Sequence, residues 1–317
     1  MMDNNMQAEA IRKEIIRRNK GKTLIESRYV PKYPDSAERE YLRLVNEYMK
    51  IEKNVLIEYI PELKRILGEG TAGYRMDAKN PNDKKREEQR RGNIDMTLVA
   101  LGDLFRRIYA ALENAFGLFH LKKKLEDIAA LDHKMTVKEW KKVIGKTLGI
   151  NILEDYYSGE FYKEMLQKWV SDNVDLIKTI PKESLGNIKK LVYQNFMDGR
   201  TNTDIIKELQ RQYGIDKRHA QLIARDQTGK LNAKITEHQQ RDAGIKEYRW
   251  RDCRDERVRK RHKELHGRVF SWDDPPDVGR GRHCHPGEDY QCRCRAAPVF
   301  DVSKLRLPVE GITVTVG

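Results

Sequence analysis

The stretch "HCHPGEDYQCRC", residues 283–294, gathers three of the chain's four cysteines and two of its eight histidines. All four cysteines (Cys253, Cys284, Cys292, Cys294) and four histidines (His262, His266, His283, His285) fall between 253 and 294. Thiolate and imidazole are the donors that a structural zinc selects, and four of them close a tetrahedral site. Cys292 and Cys294, two apart on an expected strand, share a face, as do His262 and His266, four apart on an expected short helix. The C-x-C spacing does not match the paired C-x2-C knuckles of ordinary zinc fingers. Three readings of the cluster stay open. It is a structural metal site, or a disulfide joining Cys253 or Cys284 to one of the C-x-C pair, which would form only after release from the cytosol. Otherwise it is a set of buried thiols and loop histidines held by hydrogen bonds.

Catalytic signals are weaker. "HKELH" resembles the zinc-protease pattern H-E-x-x-H, but Lys263 stands where the general base belongs and Glu264 comes one position late. A His/Cys metal near Asp255 and Glu288 could activate water, which keeps a metal-dependent nuclease as an alternative. No separate acid–base pair or glycine-rich cradle accompanies it, so no enzyme is expected. "DERVRKRH" sets Asp255 and Glu256 among Arg257, Arg259 and Arg261. These arginines suit either an internal ion-pair network at a strand-to-helix corner or contacts to nucleic-acid phosphates.

The elements that must hold this cluster follow from periodicity. After Gly244, "KEYRWRDC" alternates Tyr248 and Trp250 with charged residues, as a half-buried strand does. "GRVFSW", "CRCRAAPVF" and "GITVTVG" read as further short strands, so 244–317 is expected to be a small α+β module with a long loop at 273–290. Upstream the pattern is helical. A start signal at Asp35–Glu38 precedes Leu44, Val45, Tyr48 and Val55, and Pro61 predicts a break or kink. "YRMDAKNPNDKKREEQRRGN", 74–93, has no apolar period and reads as a charged loop or arm. Leu98, Leu101, Phe105, Ile108, Leu112 and Phe116 form a seam that suits an intramolecular helix pair or an oligomer contact. From 171, a break is expected at Pro181, then a helix capped near Ser184 and stopped at Gly199. Thr201–Asp204 caps the next helix, and "YGID" is expected to turn it into another, a helix-turn-helix-like pair that could read DNA or simply pack.

The divisions are therefore 1–170, a helical N-terminal region; 171–243, a helical lead-in; and 244–317, the Cys/His-rich module. The expected fold class is mainly α: elongated helical N-terminal and middle regions, then the small α+β unit. The 317 residues carry 62 Lys and Arg against 49 Asp and Glu, a net charge of +13. Much of that charge is interspersed on solvated helix faces, and the remainder favours a polyanionic partner such as nucleic acid. Mean hydropathy is −0.80, and no apolar run approaches membrane-spanning length. The N-terminus lacks the apolar core of a secretory signal, and four cysteines are too few for a disulfide scaffold, so a reducing cytoplasm is expected.

"YRWRDCRDERVRKRHKELHGRVFSWDDPP" followed by "HPGEDYQCRCRAAPV" resembles the C-terminal domain of the phage Mu F-like head morphogenesis, or minor capsid, proteins. The matching positions are Trp250, Asp255, Arg257 to Arg259, His262, Leu265, Gly267, Pro275-Pro276, His285 to Gly287, Cys292 to Cys294 and Pro298. "DLIKTIPKESLGNIKKLV" and "AQLIARDQTGKLNAK" resemble that family's helical lead-in, so the resemblance covers about 170–300. It implies a structural role. Such a protein is a virion component made in the host cytoplasm, associated with the portal protein and with capsid or scaffold proteins. It acts in procapsid assembly, with non-specific contacts to double-stranded DNA during packaging or ejection, and has no membrane partner. Because the chain ends soon after the motif, no appended effector domain is expected. The resemblance also selects His262, His285, Cys292 and Cys294 as the ligand set for one structural zinc. A zinc-containing DNA-binding regulator using the 203–241 helix pair is the alternative of a different class.

Overall fold

The computed structural model describes residues 4–27, 29–75, 84–153, 155–198 and 200–307. Its elements in chain order are α1 (Asn4–Arg18), β1 (Leu24–Glu26), α2 (Asp35–Arg75), α3 (Lys84–Gly117), α4 (Leu121–Leu148), α5 (Glu160–Met197) and α6 (Asn202–Asp242). They are followed by β2 (Glu247–Arg251), α7 (Lys260–Leu265), β3 (Val269–Ser271), β4 (Asp277–Gly279), β5 (Arg282–His283) and β6 (Arg295–Asp301). The chain is mainly α with a small strand-bearing C-terminal part, as its periodicity predicts.

Contacts divide the chain into two compact units, each assembled from separated stretches. One comprises 42–124 and 172–223. Its core joins Val55, Leu63 and Leu67 of α2 to Leu101, Leu104, Phe105, Ile108 and Leu112 of α3, and to Leu185, Ile188 and Val192 of α5. The α3 seam is thus spent on helix packing within the chain.

The same core explains two of three departures from the expected breaks. Helix α2 runs through Pro61 and α5 runs through Pro181. A mid-helix proline costs about 3 kcal/mol. Burial of Leu63, Ile66 and Leu67 after Pro61, and of Leu185 and Ile188 after Pro181, offsets that cost. Ser184 therefore lies inside a helix rather than capping one. Nor does "YGID" turn the chain. Helix α6 is continuous from Asn202 to Asp242, and the Gln212 side chain donates to Asp216 Oδ1 at 3.0 Å across that turn. Gly214 costs roughly 1 kcal/mol in a helix but does not stop it. The helix-turn-helix-like pair is absent, and the DNA-regulator reading loses its recognition element. Within 74–93, residues 74–75 and 84–93 are helical, so the charged arm is corrected there; 76–83 lie outside the described residues, as do Gly199 and "GITVTVG". The Thr201 cap holds: the Asp204 amide donates to Thr201 Oγ1 at 3.2 Å.

The other unit comprises 1–41, 125–171 and 224–317. Its antiparallel sheet has the order β1-β6-β2-β3. Strand β2 alternates as expected, with Tyr248 and Trp250 fully buried. Strand β1 was not legible in the sequence; it comes from the N-terminal region and pairs with β6, Ile25 opposite Phe300. The end of α6 is bound to the sheet by Gln240, whose amide donates to the Ala296 carbonyl at 2.9 Å and whose oxygen accepts from the Trp272 indole at 3.2 Å.

A Schellman turn ends α6: the Ile245 amide donates to the Gln240 carbonyl and the Gly244 amide to that of Arg241, both at 2.9 Å. Gly244 has φ +78°, and a Cβ there would strike the Lys304 carbonyl. Gly244→Ala is expected to cost about 2 kcal/mol, read as a lower thermal unfolding midpoint; an unchanged midpoint would refute this account of the turn.

Candidate metal centre

Helix α7 carries His262, 2% exposed, with its ring against Trp250 of β2 in an edge arrangement 5.4 Å between centroids. Cys292 and Cys294 do not sit on a strand. They occupy the turn just before β6, where the Cys292 amide donates to the Asp289 carbonyl at 2.9 Å. Gln291 adopts φ +52°, and Asp226 of α6 holds that residue by accepting its amide at 2.8 Å. Gly287 takes φ +94° close against Ala233, which brings the "HPG" turn tight onto α6.

The result is a compact trio. His262 Nδ1 stands 3.5 Å from both Cys292 Sγ and Cys294 Sγ. The three ligand atoms lie within 4.8 Å of one another, and all three residues are buried. The Cys294 amide donates to Cys292 Sγ at 3.4 Å. Hydrogen bonding from Cys294, then from His262, holds Cys292 well below the usual thiol range. The Cys292 thiolate and burial push Cys294 up. Burial opposes charge on His262, but Cys292 and Asp289 outweigh it, and its pKa is raised. All four cysteines are free thiols.

On its far side His262 is fixed by a residue that sequence reasoning missed. Its Nε2 lies 3.1 Å from Asp289 Oδ2, a carboxylate 1% exposed. Asp289 also accepts from Arg259 Nη1 at 3.0 Å, from Arg282 Nη1 at 2.5 Å and from the Tyr290 amide at 2.9 Å. A carboxylate that orients a histidine through its outer nitrogen is the usual companion of a metal-binding imidazole. The only hint in the sequence was an acid three residues before Cys292.

The fourth expected ligand is elsewhere. His285 Nδ1 pairs with the Tyr248 hydroxyl at 2.9 Å, and its ring packs on Trp272 at 4.8 Å. Burial lowers its pKa. His285 thus lies outside the group formed by His262, Cys292 and Cys294. His266 Nδ1 is 2.9 Å from Asp252 Oδ1, and His283 Nδ1 is 2.9 Å from the Pro275 carbonyl.

The arginines resolve largely into the ion-pair network. Arg259 serves Asp289 and the Tyr290 carbonyl. Arg261 donates to the Asp277 carbonyl at 3.0 Å and pairs with Glu264 at 3.2 Å. Arg257 is different: 70% of its side chain is exposed, with an ion pair to Asp255 at 3.7 Å.

A mainly α chain ending in a helix-braced α+β module, with a buried Cys-Cys-His-Asp cluster, is the class that this fold and site define. Residues 186–297 match the family described as phage Mu protein F like protein, in line with the resemblance read from the motif string. An uncharacterized protein of Haemophilus influenzae is 36% identical over 139 residues, which is 44% of this chain and 30% of that protein. The chain thus spans under a third of that relative's length. No solved structure matches. No described helix is long and apolar enough to cross a membrane.

Proposed function

We propose that the protein is a phage head morphogenesis protein, a minor head component that joins the portal vertex during procapsid assembly in the host cytoplasm and stays in the virion. The observation that carries this reading is the family match over 186–297, which takes in α6 and the whole Cys/His turn. Its role is one of assembly rather than catalysis. Portal protein is the chief partner, with capsid or scaffold proteins beside it. The net charge of +13 supports a further, sequence-independent contact with packaged DNA. Because Arg259 and Arg261 are engaged internally, Arg257 is the best placed of the three to meet a phosphate.

Sedimentation of lysates from cells assembling heads tests the proposal. The protein should travel with procapsids and with isolated portal rings. Absence from both purified procapsids and virions would end it. DNA binding should weaken uniformly across sequences with salt, by about 0.9 log units per log of salt for each phosphate contact. A sequence-selective shift would refute the non-specific contact.

A further inference from the structure

We propose that His262, Cys292 and Cys294 bind one zinc ion and that Cys253, not His285, completes the shell. The geometry of the trio is that of a ligand set. Zinc–sulfur and zinc–nitrogen bonds of about 2.3 and 2.0–2.1 Å at a tetrahedral angle put nitrogen and sulfur about 3.6 Å apart. His262 Nδ1 lies 3.5 Å from each sulfur.

The surroundings suit thiolates. The Cys294 amide already donates to Cys292 Sγ. The Trp250 indole nitrogen is buried with no hydrogen-bond partner, in the same packed cluster as Cys294. A metal-bound thiolate at Cys294 gives this orphaned donor an acceptor. Asp289 supplies the outer partner that fixes the His262 ring with Nδ1 turned to the sulfurs.

The fourth ligand follows from the cavity beside the trio. A space of about 120 Å³ is lined by all three residues and by Cys253, Asp255 and Arg293, among others. Cys253 stands outside the 4.8 Å group but lines the same cavity as His262, Cys292 and Cys294. Asp255 is occupied, since it accepts from the Arg293 guanidinium and from the Arg257 amide. Cys253 is thus the remaining soft donor facing that space. Three thiolates and a neutral imidazole leave the zinc complex with one net negative charge, which Arg257, Arg259 and Arg293 around the cavity offset. A closed Cys3His shell is a structural site, with no position left for water chemistry.

The test uses the full chain, produced without an affinity tag that binds metal. Elemental analysis should find roughly one zinc per chain. Cobalt exchanged for zinc should give the visible bands of a tetrahedral site and a near-ultraviolet thiolate charge-transfer band. His285→Ala should keep both the zinc and that band. Cys253→Ala should bind zinc more weakly and lose one thiolate's share of the band, and Cys292→Ala should lose the ion. Zinc below a tenth of an equivalent in the unaltered chain would overturn the site. An undiminished band in Cys253→Ala, or loss of zinc in His285→Ala, would overturn the ligand set. Each result stands whether or not the protein meets a portal.

Discussion

Asp289→Ala is expected to lower the unfolding free energy by about 3 kcal/mol. The carboxylate is 1% exposed and accepts from Arg259, Arg282, the Tyr290 amide and the His262 ring edge. Removing one partner of a buried charged network generally costs 3–5 kcal/mol, because the other members are left desolvated and unpaired. Here the two guanidinium groups are 41% and 43% exposed, so they regain water and the cost falls toward the lower end. His262 has no such recourse, since its side chain is 2% exposed. Asp289→Asn should fall between the two, keeping one acceptor and losing the charge. Urea unfolding followed by tryptophan fluorescence reads the effect, because Trp250 and Trp272 both lie in the affected core. A loss under about 0.5 kcal/mol, the range of ordinary surface changes, would show that Asp289 does not organise the turn.

That carboxylate also marks the limit of what the sequence reveals. Strand β2 was legible because Tyr248 and Trp250 alternate with charge, and the α3 seam because its apolar residues keep helical spacing. Both are local signals. Cys292, Cys294 and His262 could be grouped by type and by family resemblance, and they do converge. His285 does not join that group, for a definite reason: its ring is held by Tyr248 and Trp272, which are distant from it in the chain. The pairing of β1 with β6 is likewise invisible locally, because three residues of strand carry no periodicity until a distant partner supplies the ladder. Pro61, Pro181 and Gly214 misled in the opposite direction. Each is a real local penalty, and each is overridden by packing or side-chain bonding on both sides of it.

Between pH 5 and 8 the wild-type protein should lose stability that Glu52→Gln retains. Glu52, in the unit built from 42–124 and 172–223, is fully buried with neither carboxylate oxygen hydrogen-bonded. Burial above all, with the Asp216 carboxylate adding to it against a pull from Ser184, raises its pKa to about 8. A folded-state pKa above the unfolded one means that the native chain holds a proton the unfolded chain has released. The associated stability is therefore complete below about pH 4.5 and declines as pH rises toward 8. Asp132, in the other unit, is also raised to about 8 by burial, so part of the wild-type decline belongs to it and persists in the variant. Glutamine reproduces the protonated side chain and cannot ionise. The two proteins should differ by under about 1 kcal/mol at pH 5, with the variant more stable by about 4 kcal/mol near pH 8. Parallel stability curves across that range would show that Glu52 is charged in the folded chain and that its burial is matched by a partner cation.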